Sequence, residues 1–286
     1  MSASNRAAIL TKVHRVLKKH YQPVAPPSDR GLLEHLLYAC CLENSAHEAA
    51  DEAFARLQEM FFDWNEVRVT TIAELSEALR MVPAPSDAAT RLKQVLQSVF
   101  ETHYSFDLEF LKKENIGKAV KTLEKYHGIT PFTVSYVTQI ALGGHSIPID
   151  KGVLSTFVAL GVATEMEAEK QHVPGVDRAI PKTKGVEFAS LLHQLGADYH
   201  ASPFSQRVRS MILEIAPDAK DRFPKRSTKQ KKAPKKTAKA ARTKAKATAT
   251  RAGGATKKKV SKSKAVGQKA GKKKSATKRL SRKKPR

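Results

Sequence analysis

Only two cysteines and one tryptophan occur in 286 residues, and aromatic residues make up 6%. Cys40 and Cys41 are sequence neighbours. Adjacent residues are poorly placed to bridge each other, which suits a reducing cytosol. No run approaches the ~20 apolar residues that a membrane helix needs, and no secretory signal pattern opens the chain, so no membrane partner is expected. Convincing runs of alternating apolar and polar residues are missing between Gly31 and Ile215, which argues against strands. His172, His193 and His200 have no metal-ligand spacing, so no metal site is expected.

Acidic residues are absent from the C-terminal stretch. From Lys225 onward stand 27 Lys and Arg and no Asp or Glu, so residues 1–224 carry 25 basic against 27 acidic side chains. The formal charge of +25 is therefore a strongly cationic tail on a nearly neutral body. The tail is Lys, Ala, Thr, Ser and Arg with few large apolar residues, a composition that cannot offset the entropy of ordering and predicts disorder in the free chain over 224–286. Such a chain binds polyanions by releasing condensed counterions, without reading sequence. Candidate DNA contacts are its lysine clusters: Lys231, Lys232, Lys235, Lys236, Lys257, Lys258, Lys259, Lys272, Lys273 and Lys274.

What is present in the body is helical periodicity, and the fold class expected is all-α. Ile9, Val13, Val16 and Leu17 form one face of a basic N-terminal helix, joined by a Pro-rich linker within residues 1–30. That helix either packs on the body with its charges in water or contacts phosphate. Leu32 to Leu42 is almost wholly apolar and reads as a buried helix. Ser45 and Glu48 have capping-box spacing ahead of a helix through Phe54, Leu57 and Phe61, and Thr71 with Glu74 repeats it. Asp87 precedes a helix striped by Ala88, Leu92, Val95, Leu96, Val99 and Phe100. Further helices are expected over Glu165 to Val173 and Lys184 to Leu195.

The most informative stretch runs from Leu123 to Asp150. A helix ends at Tyr126, His127-Gly128-Ile129-Thr130 makes a tight turn, and a second helix starts at Pro131 and stops at Gly143-Gly144. Val134, Val137, Ile140 and Ala141 give that second helix a buried face. Amides at a helix N-terminus behind such a turn suit a phosphate.

This pattern resembles the helix-hairpin-helix and following Gly/Pro-x-Asp loop of the endonuclease III-like DNA glycosylases. Gly128-Ile129 and Thr133 match the hairpin, Thr130 stands where a second glycine is expected, and Phe132 occupies the position of the lyase lysine. The resemblance spans Leu32 to Ile215. It implies two helical lobes over 31–223, with 31–143 forming a central lobe and 144–223 joining the N-terminal helix in the second, and duplex DNA in the cleft between them. It implies His127, Gly128, Ile129, Thr130, Phe132 and Thr133 as the DNA-binding hairpin, Asp150 as the catalytic carboxylate, and Asn44 as the side chain that fills the gap left by an extruded base. Asp150 also reads as a helix N-cap, a role compatible with catalysis, and Asn44 reads equally as an ordinary capping turn. Gly196 to Ile215 resembles the family's iron–sulfur segment without any of its cysteines, so no cluster is expected; packing by Tyr199, Phe204, Val208, Ile212 and Ile215 takes its place. A monovalent cation at the hairpin is the one bound ion that the resemblance leaves.

Cleaving an N-glycosidic bond requires a carboxylate beside a sugar that gains positive charge, a grip on the backbone and a plug for the vacated stack. Without the lysine there is no Schiff base, and the implied activity is monofunctional hydrolysis of a damaged or mismatched base, as in base excision repair. Two other readings stay open. One is a non-catalytic, nucleoid-organising DNA-binding protein whose tail resembles those of linker histones. The other is an abasic-site lyase using a displaced amine such as Lys121, Lys125 or Lys151. The glycosylase reading requires the Asp150 carboxylate and the amides near 128–133 to share one groove. A monomer in the cytoplasm, associated with the nucleoid, or in a nucleus, is expected.

Overall fold

The computed structural model describes residues 3–224. The chain divides into a unit Met1–Thr228 and a second unit Lys229–Arg286; the tail lysines from Lys231 to Lys274 lie outside the described residues. Among the described residues there are helices and turns and no strand, so the fold is all-α. The helices in order are α1 (Ala3–His20), α2 (Leu32–Leu42), α3 (His47–Met60), α4 (Trp64–Val69), α5 (Ile72–Ala78), α6 (Pro85–His103), α7 (Ile116–Leu123), α8 (Pro131–Ile140), α9 (Lys151–Leu160), α10 (Glu165–Glu169), α11 (Val176–Ala179), α12 (Lys182–Ala201) and α13 (Gln206–Ile215). Single 3₁₀ segments cover Glu109–Lys113 and Pro217–Arg222.

Two apolar cores hold the body together. One runs from Leu32 to Val137 and is built on α2, nearly all of whose side chains are buried. The other joins Leu10, Val13, Val16 and Leu17 of α1 to residues between Ile147 and Ala219. Each fully buried Leu or Phe stabilises its core by roughly 1.5–3 kcal/mol, so α1 is an integral part of the second core. Tyr199, Val208, Ile212 and Ile215 are buried there, while Phe204 is half-buried.

Several local expectations change. Ser45 caps nothing: α3 begins at His47 behind Ala46, without a side-chain cap, because Asn44 turns left-handed at φ 63 and places Ser45 in the turn. The Thr71–Glu74 capping box does form. Asp87 lies inside the first turn of α6, behind Ala84 and Pro85, where its charge still favours the helix dipole. The buried face of α8 is Phe132, Thr133, Tyr136 and Val137; Val134, Ile140 and Ala141 are half-buried. The larger aromatic stripe has taken the core face.

Two glycines set the geometry that matters for the site. A Cβ on Gly152 of α9 would lie 2.4 Å from the Gly196 carbonyl oxygen of α12, and one on Gly196 would lie 2.6 Å from Val153 Cγ2. The two helices therefore cross backbone to backbone. That crossing brings Asp150, two residues before Gly152, against His193, three residues before Gly196.

Candidate functional site

The hairpin turns at Gly128 and opens α8 behind Thr130. Gly128 has φ +85, and a Cβ there would lie 2.8 Å from the Arg91 carbonyl oxygen on α6, so both conformation and contact demand glycine. Thr130 is extended, at φ −114, and N-caps α8 by accepting from the Thr133 N–H at 3.2 Å. A β-branched residue is therefore unstrained where the family pattern has glycine. The opening turn of α8 presents amides that have no partner within the helix, at the positive end of its dipole. His127 is exposed, Gly128, Ile129 and Thr130 are half-buried, and Phe132 and Thr133 are buried. Lys121, Lys125 and Lys151 are all exposed.

Asp150 is 2% exposed, and its side chain is closed off from solvent. Its Oδ1 accepts from Val153 N at 2.8 Å, capping α9. Its Oδ2 accepts from Asn44 N at 3.0 Å and lies 3.4 Å from His193 Nδ1. The carboxylate thus does not lie open on a groove shared with the hairpin amides. The turn between α2 and α3 covers it. Asn44, expected to project as a plug, uses its side-chain Oδ1 to accept from Lys151 N at 3.0 Å. The N-cap reading of Asp150 is met, and both residues are occupied in tying the two lobes together.

Three consecutive residues of that turn touch three parts of the site. Glu43 Oε2 accepts from Thr130 Oγ1 of the hairpin at 3.0 Å. Asn44 holds Asp150. The Ser45 carbonyl accepts from His193 Nε2 at 2.8 Å. Burial pushes the Glu43 carboxyl up from its ordinary range, against the opposing pull of Arg91 and of the Thr130 hydroxyl.

Beside this turn lies a pocket with ≈ 560 Å³ of empty space, its open mouth included, lined by Tyr38, His47, Phe132, Tyr136, Gln139 and His193 among others. The Phe132 and Tyr136 rings stack at 6.3 Å, and Phe132 meets His193 at 5.6 Å. Burial, helped by the neighbouring His193, pulls the His47 imidazole down to about 4, so it is neutral near pH 7. Gln139 Nε2 is buried without a partner. Phe132, at the lysine position, thus contributes a ring and no amine. Sequence reading missed His193, Glu43 and the Tyr38–Tyr136 wall; no motif marks them, and only the Gly152–Gly196 crossing brings α12 to the aspartate. Among the described residues, no cluster of three or more His, Cys, Asp or Glu could hold a metal ion, and no helix is long and apolar enough to cross a membrane. Carbonyls for a monovalent cation are present in the hairpin, although that of Tyr126 accepts from Ile129 N and that of Thr130 from Val134 N.

No family model matches the chain. Two curated plant proteins are similar over 99 residues, or 35% of this chain: Transcriptional activator DEMETER of Arabidopsis thaliana at 28% identity and Protein ROS1A of Oryza sativa subsp. japonica at 29%. The match spans only 5% of the length of either relative. Among solved structures, a non-covalent endonuclease III–DNA complex superposes with a TM-score of 0.55 at 17% identity, over 79% of this chain and 100% of that one. A trapped covalent endonuclease III–DNA intermediate gives 0.53 at 16%, over 78% and 100%. The body of this chain has the endonuclease III-like helix-hairpin-helix glycosylase fold, without the iron–sulfur cysteines and without the lyase lysine.

Proposed function

We propose that the protein is a DNA-binding, base-excision-repair-type enzyme, a monofunctional glycosylase that hydrolyses the N-glycosidic bond of a damaged or mismatched base in duplex DNA. One observation carries this reading: residues 43–45 join the phosphate-cradling hairpin, the Asp150 carboxylate and the wall of an aromatic pocket within a single turn. In this reading the hairpin from His127 to Thr133 grips the backbone. The base stacks among Phe132, Tyr136 and His193, and Asp150 stabilises the sugar cation and orients water. Asp150 is sealed in this structure, so the groove it was expected to share with the hairpin amides is absent at rest. The glycosylase reading therefore stands only if the turn shifts to uncover it, a movement that also frees Asn44 to occupy the gap in the stack. The tail raises local concentration on DNA through its lysines. No iron–sulfur cluster takes part, and main-chain carbonyls of the hairpin are the ligands for any monovalent cation. The protein acts as a monomer in the nucleoid or nucleus.

Burial of Asp150 favours a second reading, a non-catalytic DNA-binding protein on the same fold, since a capped and covered carboxylate needs no chemistry to explain it. Incubating full-length protein and Asp150→Asn with uracil, alkylated-base and oxidised-base duplexes separates the two. The glycosylase reading expects Asp150-dependent base release on at least one duplex, and release on none leaves the binding protein. Borohydride treatment with abasic DNA is expected to trap no covalent complex; a trapped complex would move the assignment to a lyase working through Lys121, Lys125 or Lys151.

A further inference from the structure

We propose that His193 is a positioning residue that carries a proton on each ring nitrogen and so holds the buried Asp150 carboxylate in its ionised, reactive form. The inference deepens the glycosylase reading and rests on it only for its kinetic readout.

The argument follows from donors and acceptors. His193 Nε2 lies 2.8 Å from the Ser45 carbonyl oxygen, which can only accept, so Nε2 bears a proton and donates. The other nitrogen, Nδ1, lies 3.4 Å from Asp150 Oδ2. An ionised carboxylate also only accepts. Were Nδ1 bare, its lone pair would face that oxygen between two side chains only 5% and 0% exposed. A buried pair left like that is strongly unfavourable, whereas an imidazolium opposite the carboxylate offsets the cost of drying it. Asp150 then has two hydrogen-bond donors, Val153 N and Asn44 N, and a cation at 3.4 Å in His193 Nδ1, which has no other partner.

The groups facing this pair are consistent with one imidazolium. The His47 ring on α3 meets His193 edge-on at 5.0 Å and is itself kept neutral. Phe132 of α8 offers an apolar face. Glu43 of the α2–α3 turn feels the charges of Arg91, Asp150 and Lys151. Asp51 lies on the pocket wall and pairs with Arg30 at 3.7 Å. The titratable and charged neighbours of the Asp150–His193 contact are thus Glu43, Arg91 and Lys151 on the side of the turn and the neutral His47 ring on the other.

The test uses the full chain with ¹⁵N-labelled histidine. Long-range ¹H–¹⁵N spectra at neutral pH should show both His193 nitrogens protonated in the wild type, and a neutral Nε2–H ring in Asp150→Asn. A neutral Nε2–H His193 in the wild type overturns the proposal, whether or not any variant folds. On whichever duplex the wild type processes, His193→Phe should move the acidic limb of the pH–rate profile up by about 1–3 pH units, the range an opposite charge at this distance commands, and lower kcat with little change in KM. His193→Gln, which keeps a neutral donor, should recover part of the shift. An unmoved acidic limb in His193→Phe also overturns it. If the wild type releases no base from any duplex, the glycosylase reading fails, while the nitrogen spectra still decide the pairing.

Discussion

Replacing Gly196 by alanine sets two effects of opposite sign against each other. Glycine in the middle of a helix costs roughly 0.5–1 kcal/mol relative to alanine, so the substitution alone should stabilise α12. At this crossing, however, the new methyl would sit 2.6 Å from Val153 Cγ2 and 2.8 Å from Val153 N. The second neighbour is backbone and cannot rotate away, so α9 and α12 have to separate. Overpacking of that kind costs roughly 1–3 kcal/mol, and helix propensity returns less than it takes. A net loss of about 1–2 kcal/mol is expected, which for a body of this size lowers Tm by about 2–8 °C. Thermal unfolding of the full chain by calorimetry reads this directly. The same separation lengthens the 3.4 Å contact between His193 and Asp150, so under the proposed function base release on any duplex the wild type processes should fall further than the loss of folded protein accounts for. An unchanged or higher Tm would refute the argument, because it would mean that the backbones are not in contact at Gly196.

Three further outcomes follow from charge. His47 is held neutral, down to about 4 from an ordinary 6.5. Its contribution is therefore complete above about pH 6.5 and is lost as pH falls toward 4, on the order of 3 kcal/mol in all. Tm measured across that window should decline more steeply in the wild type than in His47→Gln, and parallel curves would contradict it. Glu43 works in the opposite sense, since a carboxyl raised by burial adds stability as pH falls; Glu43→Gln should steepen the acid decline. Truncation after Pro224 removes 27 Lys and Arg, and should weaken duplex binding and flatten its dependence on salt while leaving the melting of the body in place. Early melting of the truncated chain would place the tail within the fold.

The legible part of the fold was the part written in short-range chemistry. The Thr71–Glu74 box, the stripe of α6 and the Pro131 start of α8 are each determined within a turn or two of chain. Ser45 and Glu48 have the same spacing as Thr71 and Glu74, yet Asn44 is drawn into a left-handed turn by contacts 106 and 107 residues away, to Asp150 and Lys151, and the box never forms. The hairpin could be read because Gly128 satisfies a local demand for positive φ. His193 could not. Its role exists only where α9 and α12 meet, and the glycines that let them meet look, in sequence, like ordinary helix interruptions. The spacing from the hairpin singles out Asp150, but its burial is not legible in the sequence, because the residue that covers it comes from another lobe.

Capping a helix requires one acceptor oxygen, and Val153 N uses only Oδ1 of Asp150. Nothing in that role calls for the second oxygen to meet both a turn amide and a buried imidazole. Nor does it call for the two residues flanking Asn44 to reach the hairpin threonine and that same imidazole. The arrangement does have a mechanical consequence. A phosphate settling on the first amides of α8 would act beside Thr130, whose hydroxyl holds Glu43, and any displacement of Glu43 moves Asn44, the next residue in the chain. The cover over the carboxylate is thereby attached to the hairpin at Thr130. A static, sealed Asp150 serves a helix cap as well as it serves an enzyme at rest; under the proposed function, the tie from Glu43 to Thr130 is the route by which a phosphate on the hairpin would displace the cover.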